Sequence, residues 1–500
     1  MTRLERTPVL VGVGEALDRP DDLSSAKSPA DLIVKAISTA DDDAGGGWLS
    51  QVDRIDVAKC VSWGYRDLAG TICDRLDITP AKRANGPGSG ERPTVELFEA
   101  MAAVANGEVR SAIICGGEAQ WSVDQARRTG TELPWQQVDW STVIRRDPKA
   151  TLHPLAYKYG LHDPVHVYPL FQVATAARWG QTPEQAQRDA AEVMAQLSAV
   201  AAGNPYAWFG SPVASAEVIG TESRENRMIC WPYPKMMVAR PSVNLASAVI
   251  VTSLAEARRR GIADERLVYC RDSVYAEEPR QYVDRDRYAG CASQEAVLAE
   301  TAVRSGGQFD AVELYSCFPI VPLLARRLLD LPDTLPPTVT GGLSFFGGPM
   351  NNYMGHAIVA MVHKIRSGAT NGLLYGQGGF LTKHHALVLG SLPGAQFPLM
   401  RNVQESAEIL RRPVPKLIDE YDGPATVETF TVIHDRDGQP ALGVIVALTE
   451  GGDRLFAHVG PDQADDLACL ERPHVAPVGR TGNVRVDESG INRWSFVTVR

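Results

Sequence analysis

The chain has 500 residues, of which 44% are apolar and 22% charged, and its formal net charge is −10. That composition gives a globular protein of roughly two to four domains with real cores, and the negative balance argues against nucleic-acid binding through bulk electrostatics. The N-terminal run VLVGVG is too short and glycine-broken for a secretory signal, no stretch reaches the roughly 20 apolar residues of a membrane span, and the eight cysteines lack zinc-ligand spacing, so a cytoplasmic protein with reduced thiols is expected.

In chain order, TPVLVGVG (7–14) reads as a buried strand. SPADLIVKAISTADDDAGGG follows as a helix with a serine cap, a first-turn proline and a glycine stop. VDRIDVAKCVSW is a second strand and DLAGTICDRL a helix. A glycine-rich bend, ANGPGSGERP, then leads into the helix PTVELFEAMAAVANG and the strand SAIICGGEA. Strands alternating with helices imply crossover units, with helices on the faces of a sheet. Residues 121–240 break the rhythm. WSVDQARRTGTELPWQQVDW reads as a Trp-rich loop, and QTPEQAQRDAAEVMAQLSAVAAGNP as a Thr-Pro-capped helix, so this region is expected to be an inserted cap or loop domain.

From about residue 244 the rhythm returns. VNLASAVIVTS is a strand, LAEARRRG a helix, LVYCRDSVYA a strand, ASQEAVLAETAVRSGG a helix and DAVELYSC a strand. PIVPLLARRLLDL is a helix and TVTGG a short strand. GGLSFFGGPMNNYMGH (341–356) is a glycine-rich loop running into a helix, and GLLYGQGG and HALVLGS close the section as strands. The two sections repeat one pattern, in which a glycine bend enters a helix and an apolar strand then ends in glycines. The pattern predicts a duplication with both bends on one side of the molecule, where such folds build sites. From Pro413 the sequence alternates apolar and polar residues, with turn signals at Asp437-Gly438 and Gly451-Gly452. A small antiparallel barrel, OB-like, is expected there. Its acidic balance argues against nucleic acid as its ligand.

The segments AAGNPYAWF, NRMICWPYPKMMVARPSVNLASAVIVTS, VELYSCFPIVPLL and GGLSFFGGPMNNYMGH resemble the sterol-carrier branch of the thiolase superfamily, over residues 5–395. The tail resembles the extra C-terminal domain of actinobacterial thiolase-like proteins. The resemblance implies a duplicated five-layered α/β thiolase fold with a loop-domain insertion. Its expected divisions are an N-terminal half (1–120), a loop domain (121–240), a C-terminal half (241–400) and an OB-like domain (413–500). It also implies an acetyl-CoA acetyltransferase-like place in acyl-CoA or sterol metabolism.

Thiolase chemistry needs a cysteine nucleophile at a helix N-terminus, a histidine base, a second acid/base and an oxyanion hole. The resemblance puts the nucleophile near Gly90, beside Ser89. It puts the base at Gly348, the Asn or His that holds the thioester oxygen at Tyr315, and the second acid/base at Tyr375, or at Leu374 if the register slips by one. Cys317 matches a cysteine of the branch that is not the nucleophile. Ordinary thiolase turnover is therefore expected to be absent. His356, eight positions after Gly348, is a weak substitute base, and Ser89 is a substitute nucleophile only with a base beside it. The plainer readings are a packed histidine and a serine in a glycine turn.

Arg240 stands near the family's coenzyme A serine, where it either reaches a phosphate or blocks the tunnel. Arg127, Arg128, Arg145 and Arg146 read as solvated charge. No cofactor is required on this reading, and CoA or acyl-CoA is the expected small-molecule ligand. The segment through which thiolases pair reads AKRANGPGSG, charged and glycine-rich, which predicts a monomer. Two other functions stay open: an acyltransferase with recruited groups (Ser89 with His356, or Tyr315 and Tyr375 as donors), and a module whose C-terminal domain binds a protein partner.

Overall fold

The computed structural model describes residues 5–136, 138, 152–472, 474, 475 and 477–496. The N-terminal half supplies β1 (Pro8–Leu17), α1 (Pro29–Asp43), β2 (Arg54–Val57), α2 (Leu68–Leu76), β3 (Lys82–Asn85), α3 (Arg92–Asn106) and β4 (Ser111–Ala119). Local chemistry sets the boundaries. Ser28 and Asp31 form a reciprocal capping box before Pro29, and Gly107 ends α3 in a left-handed conformation.

The insertion carries α4 (Gln120–Thr129), α5 (Pro154–Lys158), α6 (Pro164–Arg178), α7 (Pro183–Ala202), α8 (Ala216–Gly220), β5 (Met228–Trp231) and β6 (Tyr233–Pro234). The first half of the stretch read as a Trp-rich loop is thus the helix α4, which buries Ser122, Val123 and Ala126 on one face. Residues 137 and 139–151, with Arg145 and Arg146 among them, lie outside the described residues. β7 (Asn244–Ser253) and α9 (Leu254–Arg259) return the chain to the core. The C-terminal half follows with β8 (Val268–Glu277), α10 (Ala292–Ser305), β9 (Ala311–Glu313), α11 (Ile320–Leu328), α12 (Tyr353–Arg366), β10 (Asn371–Gly378) and β11 (Lys383–Gly390).

The strand order is β3-β2-β4-β7-β1 in the first half and β9-β10-β11-β8 in the second. The halves therefore repeat one order, except that the second lacks a counterpart of β3. TVTGG, expected as a short strand, is a bend instead. Its Thr338 and Thr340 hydroxyls turn inward to the Glu313 carboxylate at 2.7 and 3.1 Å, so side-chain bonds replace a ladder. Antiparallel pairs between β1 and β8 (Val9 with Tyr269, Leu10 with Val268) join the two sheets. α3 and α12 pack together between the sheets, α1 and α2 cover the outside of one, and α10 and α11 cover the outside of the other. This is the five-layered, duplicated α/β arrangement.

After β12 (Arg401–Asn402) and α13 (Gln404–Leu410) come β13 (Gly423–His434), β14 (Pro440–Thr449), β15 (Arg454–Val459), α14 (Ala464–Leu470), β16 (Thr481–Val486) and β17 (Asn492–Phe496). Pairing runs β13-β14-β15-β17-β16 and back to β13, so the five strands close into a small OB-like barrel. β5 and β6 of the insertion extend its sheet from β13. Barrel and insertion thus share one sheet.

Candidate functional site

The bend before α3 and the loop before α12 do meet on one side of the molecule. A side chain added at Gly88 would touch Asn351, and buried Asn352 donates to Gly116 O at 2.8 Å and to Ser247 Oγ at 3.0 Å. The 341–356 loop begins with one wide helical turn, Gly342–Phe346, followed by Pro349 and the short turn Met350–Asn352. Its first glycines serve packing. Gly341 (φ +116°) and Gly342 (φ +75°) lie so close to α7 that a Cβ would sit 2.5 Å from Ala201 Cα and 2.8 Å from Leu197 Cγ.

At the head of α3, buried Ser89 donates its hydroxyl to the Glu91 carboxylate, and burial raises the Glu91 pKa despite that bond. His356 is elsewhere. Fully buried, it places Nδ1 2.5 Å from Oε1 of Glu15 on β1 and packs on Phe346, the ring centroids 5.1 Å apart. The structure thus puts Ser89 and His356 in separate hydrogen-bonded pairs, and the recruited dyad does not form.

Tyr315 closes the space above Gly90. It follows β9 with φ +49°, its ring stands perpendicular to Tyr353 at 5.7 Å, and burial holds its phenol well above the usual value. A Cβ on Gly90 would lie 2.5 Å from the Tyr315 ring carbon that bears the hydroxyl, and would also collide with the carbonyl oxygen of Gln377 on β10. Glu313 anchors this wall. It is fully buried and accepts bonds from Thr338, Thr340 and the Tyr353 hydroxyl.

Tyr375 is not beside Gly90. Side chains alternate along a strand, and the face of β10 toward the head of α3 belongs to Gly376 and Gly378. A Cβ on Gly376 would lie 3.1 Å from Glu91 Cα, and one on Gly378 would collide with Ser89 and Glu91. Tyr375 points the other way, its hydroxyl 2.7 Å from His384 Nδ1, and burial holds that histidine neutral with a pKa of about 4. Gln377, also on the far face, donates to Tyr168 Oη at 2.8 Å and to Cys317 Sγ at 3.2 Å, and burial pushes the Cys317 thiol up to about 12.

Around Gly348 there is room. A Cβ there would meet nothing nearer than Leu343 at 3.5 Å, and its N–H donates to Arg240 O at 3.0 Å. The Arg240 guanidinium stacks on Phe209, 3.4 Å from the ring centroid, with no ion-pair partner among the described residues, and its partial burial lowers its pKa. Arg240 lines a groove of about 510 Å³ with Trp121, Trp208, Phe209, Lys235 and Ser242. Among the described residues no cluster of His, Cys, Asp and Glu is arranged to hold a metal ion, and no helix is long and apolar enough to cross a membrane.

Sequence reasoning missed Glu313, Asn352 and Gln377. Glu313 sits within VELYSC, Asn352 within PMNNYM and Gln377 within GLLYGQGG, so all three lay inside quoted motifs. Only tertiary structure shows that their polar atoms turn inward.

The family described as "Thiolase-like protein type 1 additional C-terminal domain" matches residues 403–489. No curated protein matches the chain. Among solved structures, a monomeric SCP2-thiolase-like protein type 1 from Mycobacterium smegmatis is 26% identical, with 99% of each chain covered and a TM-score of 0.81. An acetyl-CoA acetyltransferase from Syntrophomonas wolfei is 14% identical, over 77% of this chain and 99% of that one, with a TM-score of 0.56. Human mitochondrial 3-ketoacyl-CoA thiolase in complex with CoA is also 14% identical, over 78% and 99%, with a TM-score of 0.54. The chain therefore has the duplicated thiolase fold, is similar over its full length to a type 1 thiolase-like protein, and carries the additional C-terminal domain of that kind at residues 403–489.

Proposed function

We propose that the chain binds an acyl-CoA-type ligand without ordinary thiolase turnover. The observation that carries the reading is Tyr315 lying over Gly90, together with the carbonyl of Gln377. A nucleophile at position 90 needs a side chain, and there is no space for one. Gly348 offers no base, Gly376 and Gly378 offer no second acid/base on the facing strand, and Ser89 has a carboxylate as its partner rather than an imidazole. Each absent catalytic group is typically worth ~10²–10⁴ in rate, so losing three leaves no useful acyl transfer.

Ligand binding rests on separate residues. The loop-domain groove combines Trp and Phe rings with Arg240 and Lys235, a lining suited to a nucleotide with phosphates. The solved thiolase bound to CoA supports CoA as the probe. A monomer fits the edge strand β3, whose four residues Lys82–Asn85 are all exposed and include two cations, a poor surface for pairing with a second copy.

Calorimetry with CoA and butyryl-CoA, beside an acetoacetyl-CoA thiolysis assay, tests both halves. The expected results are saturable binding that weakens at least ten-fold in Arg240→Glu, and no thiolysis above background in wild type or Ser89→Ala. Robust thiolysis would overturn the loss of chemistry, and the absence of any CoA heat would overturn the ligand.

A further inference from the structure

The groove that holds Arg240 has a floor made of two chain segments, 208–209 and 238–242, and both are stitched to the glycine-rich loop before α12. Trp208 N–H donates to Phe346 O at 2.7 Å, and Phe209 N–H to Phe345 O at 2.9 Å. Arg240 N–H donates to Leu343 O at 3.1 Å and accepts at its carbonyl from Gly348 N–H at 3.0 Å. The Ser344 hydroxyl donates to Val238 O at 2.9 Å, and Ala239 N–H reaches Cys317 O at 3.2 Å. A ligand arm threading from the groove between these segments and the loop would have to break such bonds. Each buried backbone group left unpaired would cost ~1–3 kcal/mol. Beyond the floor, Tyr315 already fills the space over Gly90.

The open side of the groove has a different character. Arg240 and Lys235 line it, and neither has an ion-pair partner among the described residues. A third cation, Arg19, lies 5.1 Å from the centre of the Trp208 ring; it donates to the carbonyls of Ala207 and Trp208 and also lacks a carboxylate partner among the described residues. The nearest acid, Asp124, is held by the Ser242 hydroxyl and the Gln120 amide, each at 2.7 Å. Trp121 and Trp208 stand 5.9 Å apart with their planes tilted by 50°. Ring faces beside uncompensated cations stack a nucleobase and hold its phosphates. The groove's volume of about 510 Å³ suits a ligand of nucleotide size.

We propose that this groove recognises the nucleotide half of coenzyme A alone and is indifferent to the acyl group. The inference rests on the ligand reading above and narrows it. The base stacks on the indole pair, and the phosphates meet Arg240, Lys235 and Arg19. The pantetheine arm and its acyl chain stay in solvent, because the hydrogen-bonded floor bars them from the head of α3. A site of this kind responds to total CoA rather than to one acyl ester.

The test is calorimetry on the full chain with CoA, butyryl-CoA, octanoyl-CoA, adenosine 3′,5′-bisphosphate and pantetheine. The three CoA species are expected to agree within about three-fold, the bisphosphate to bind within about ten-fold of CoA, and pantetheine to give no heat. Arg240→Glu is expected to weaken CoA, both esters and the bisphosphate together, by at least ten-fold. Should Arg240→Glu not fold, Lys235→Glu is measured instead and is expected to weaken the same four ligands several-fold. Octanoyl-CoA binding at least ten-fold tighter than CoA overturns the proposal and leaves the CoA reading standing. So does CoA binding with no saturable binding of the bisphosphate, or a variant whose loss is confined to the esters. If no CoA species binds, the CoA reading itself fails and the proposal falls with it.

Discussion

The plug over Gly90 makes a quantitative prediction. Alanine at position 90 would bring its Cβ within 2.5 Å of a Tyr315 ring carbon and into the Gln377 carbonyl, so one side chain and one backbone strand must both give way. Overpacking of this kind costs ~1–3 kcal/mol, and the backbone collision puts Gly90→Ala near the top of that range. Tyr315→Gly deletes a buried ring, at about 3–5 kcal/mol, partly offset because glycine accepts the φ of +49° without strain. In the double variant the ring is gone but the carbonyl remains. Alanine at 90 should therefore cost about 1–2 kcal/mol less on the Tyr315→Gly background than in wild type, without becoming free. Urea unfolding of the four proteins measures this cycle. Additivity within ~0.5 kcal/mol would refute the claim that Tyr315 occupies the nucleophile's space. A cysteine at 90 meets the same two obstacles, so Gly90→Cys alone should yield no thiolysis.

Two further outcomes follow from buried charges. Glu96 on α3 is 3% exposed, its Oε2 is unpartnered among the described residues, and burial raises its pKa to about 7. Its folded pKa exceeds the ordinary 4.5, so the folded state binds the extra proton, and stability present below about pH 4.5 is lost as pH rises through about 7. The loss is about 3 kcal/mol, and Glu96→Gln should remove that slope in urea melts at pH 5 and 8; an unchanged slope would count against it. Arg454→Met strands Glu428 and uncovers the Val283 and Arg285 carbonyls, so it should cost about 3–5 kcal/mol by the same measurement, and a cost below about 1 kcal/mol would contradict the burial argument.

Much of the fold was legible because its signals are local. Capping at Ser28 and Thr182, the glycine stop at Gly107 and the apolar runs of β4, β7 and β11 fix elements without tertiary help. α6 was not legible, since its mid-helix Pro169 reads as a break, and burial of the residues around it overrides that preference. The β5–β6 pair, six residues joined to a strand some 200 positions away, carries no local signal either. At the site, alignment of motifs singled out Gly90, Tyr315 and Gly348, and the structure lays Tyr315 over Gly90, but a one-residue register decides which face of β10 a side chain takes. That is why Tyr375 was named where Gly376 and Gly378 face α3.

The barrel is part of the same machinery. Along β14 and β15, Ile445, Ala447, Leu455 and Ala457 fill the barrel interior, while the alternating Val444, Val446 and Phe456 belong to the hydrophobic core of the main body. Strands two and three are the face on which OB barrels hold their ligands, and here that face is packed against the protein's own chain. Nucleic acid or a partner therefore cannot use it without undocking the barrel. From the same strand Arg454 reaches the carbonyls of Val283 and Arg285, the segment that carries the Arg285 side chain into the core. A domain that looks like an appended binding module instead shapes the interior layer behind β10.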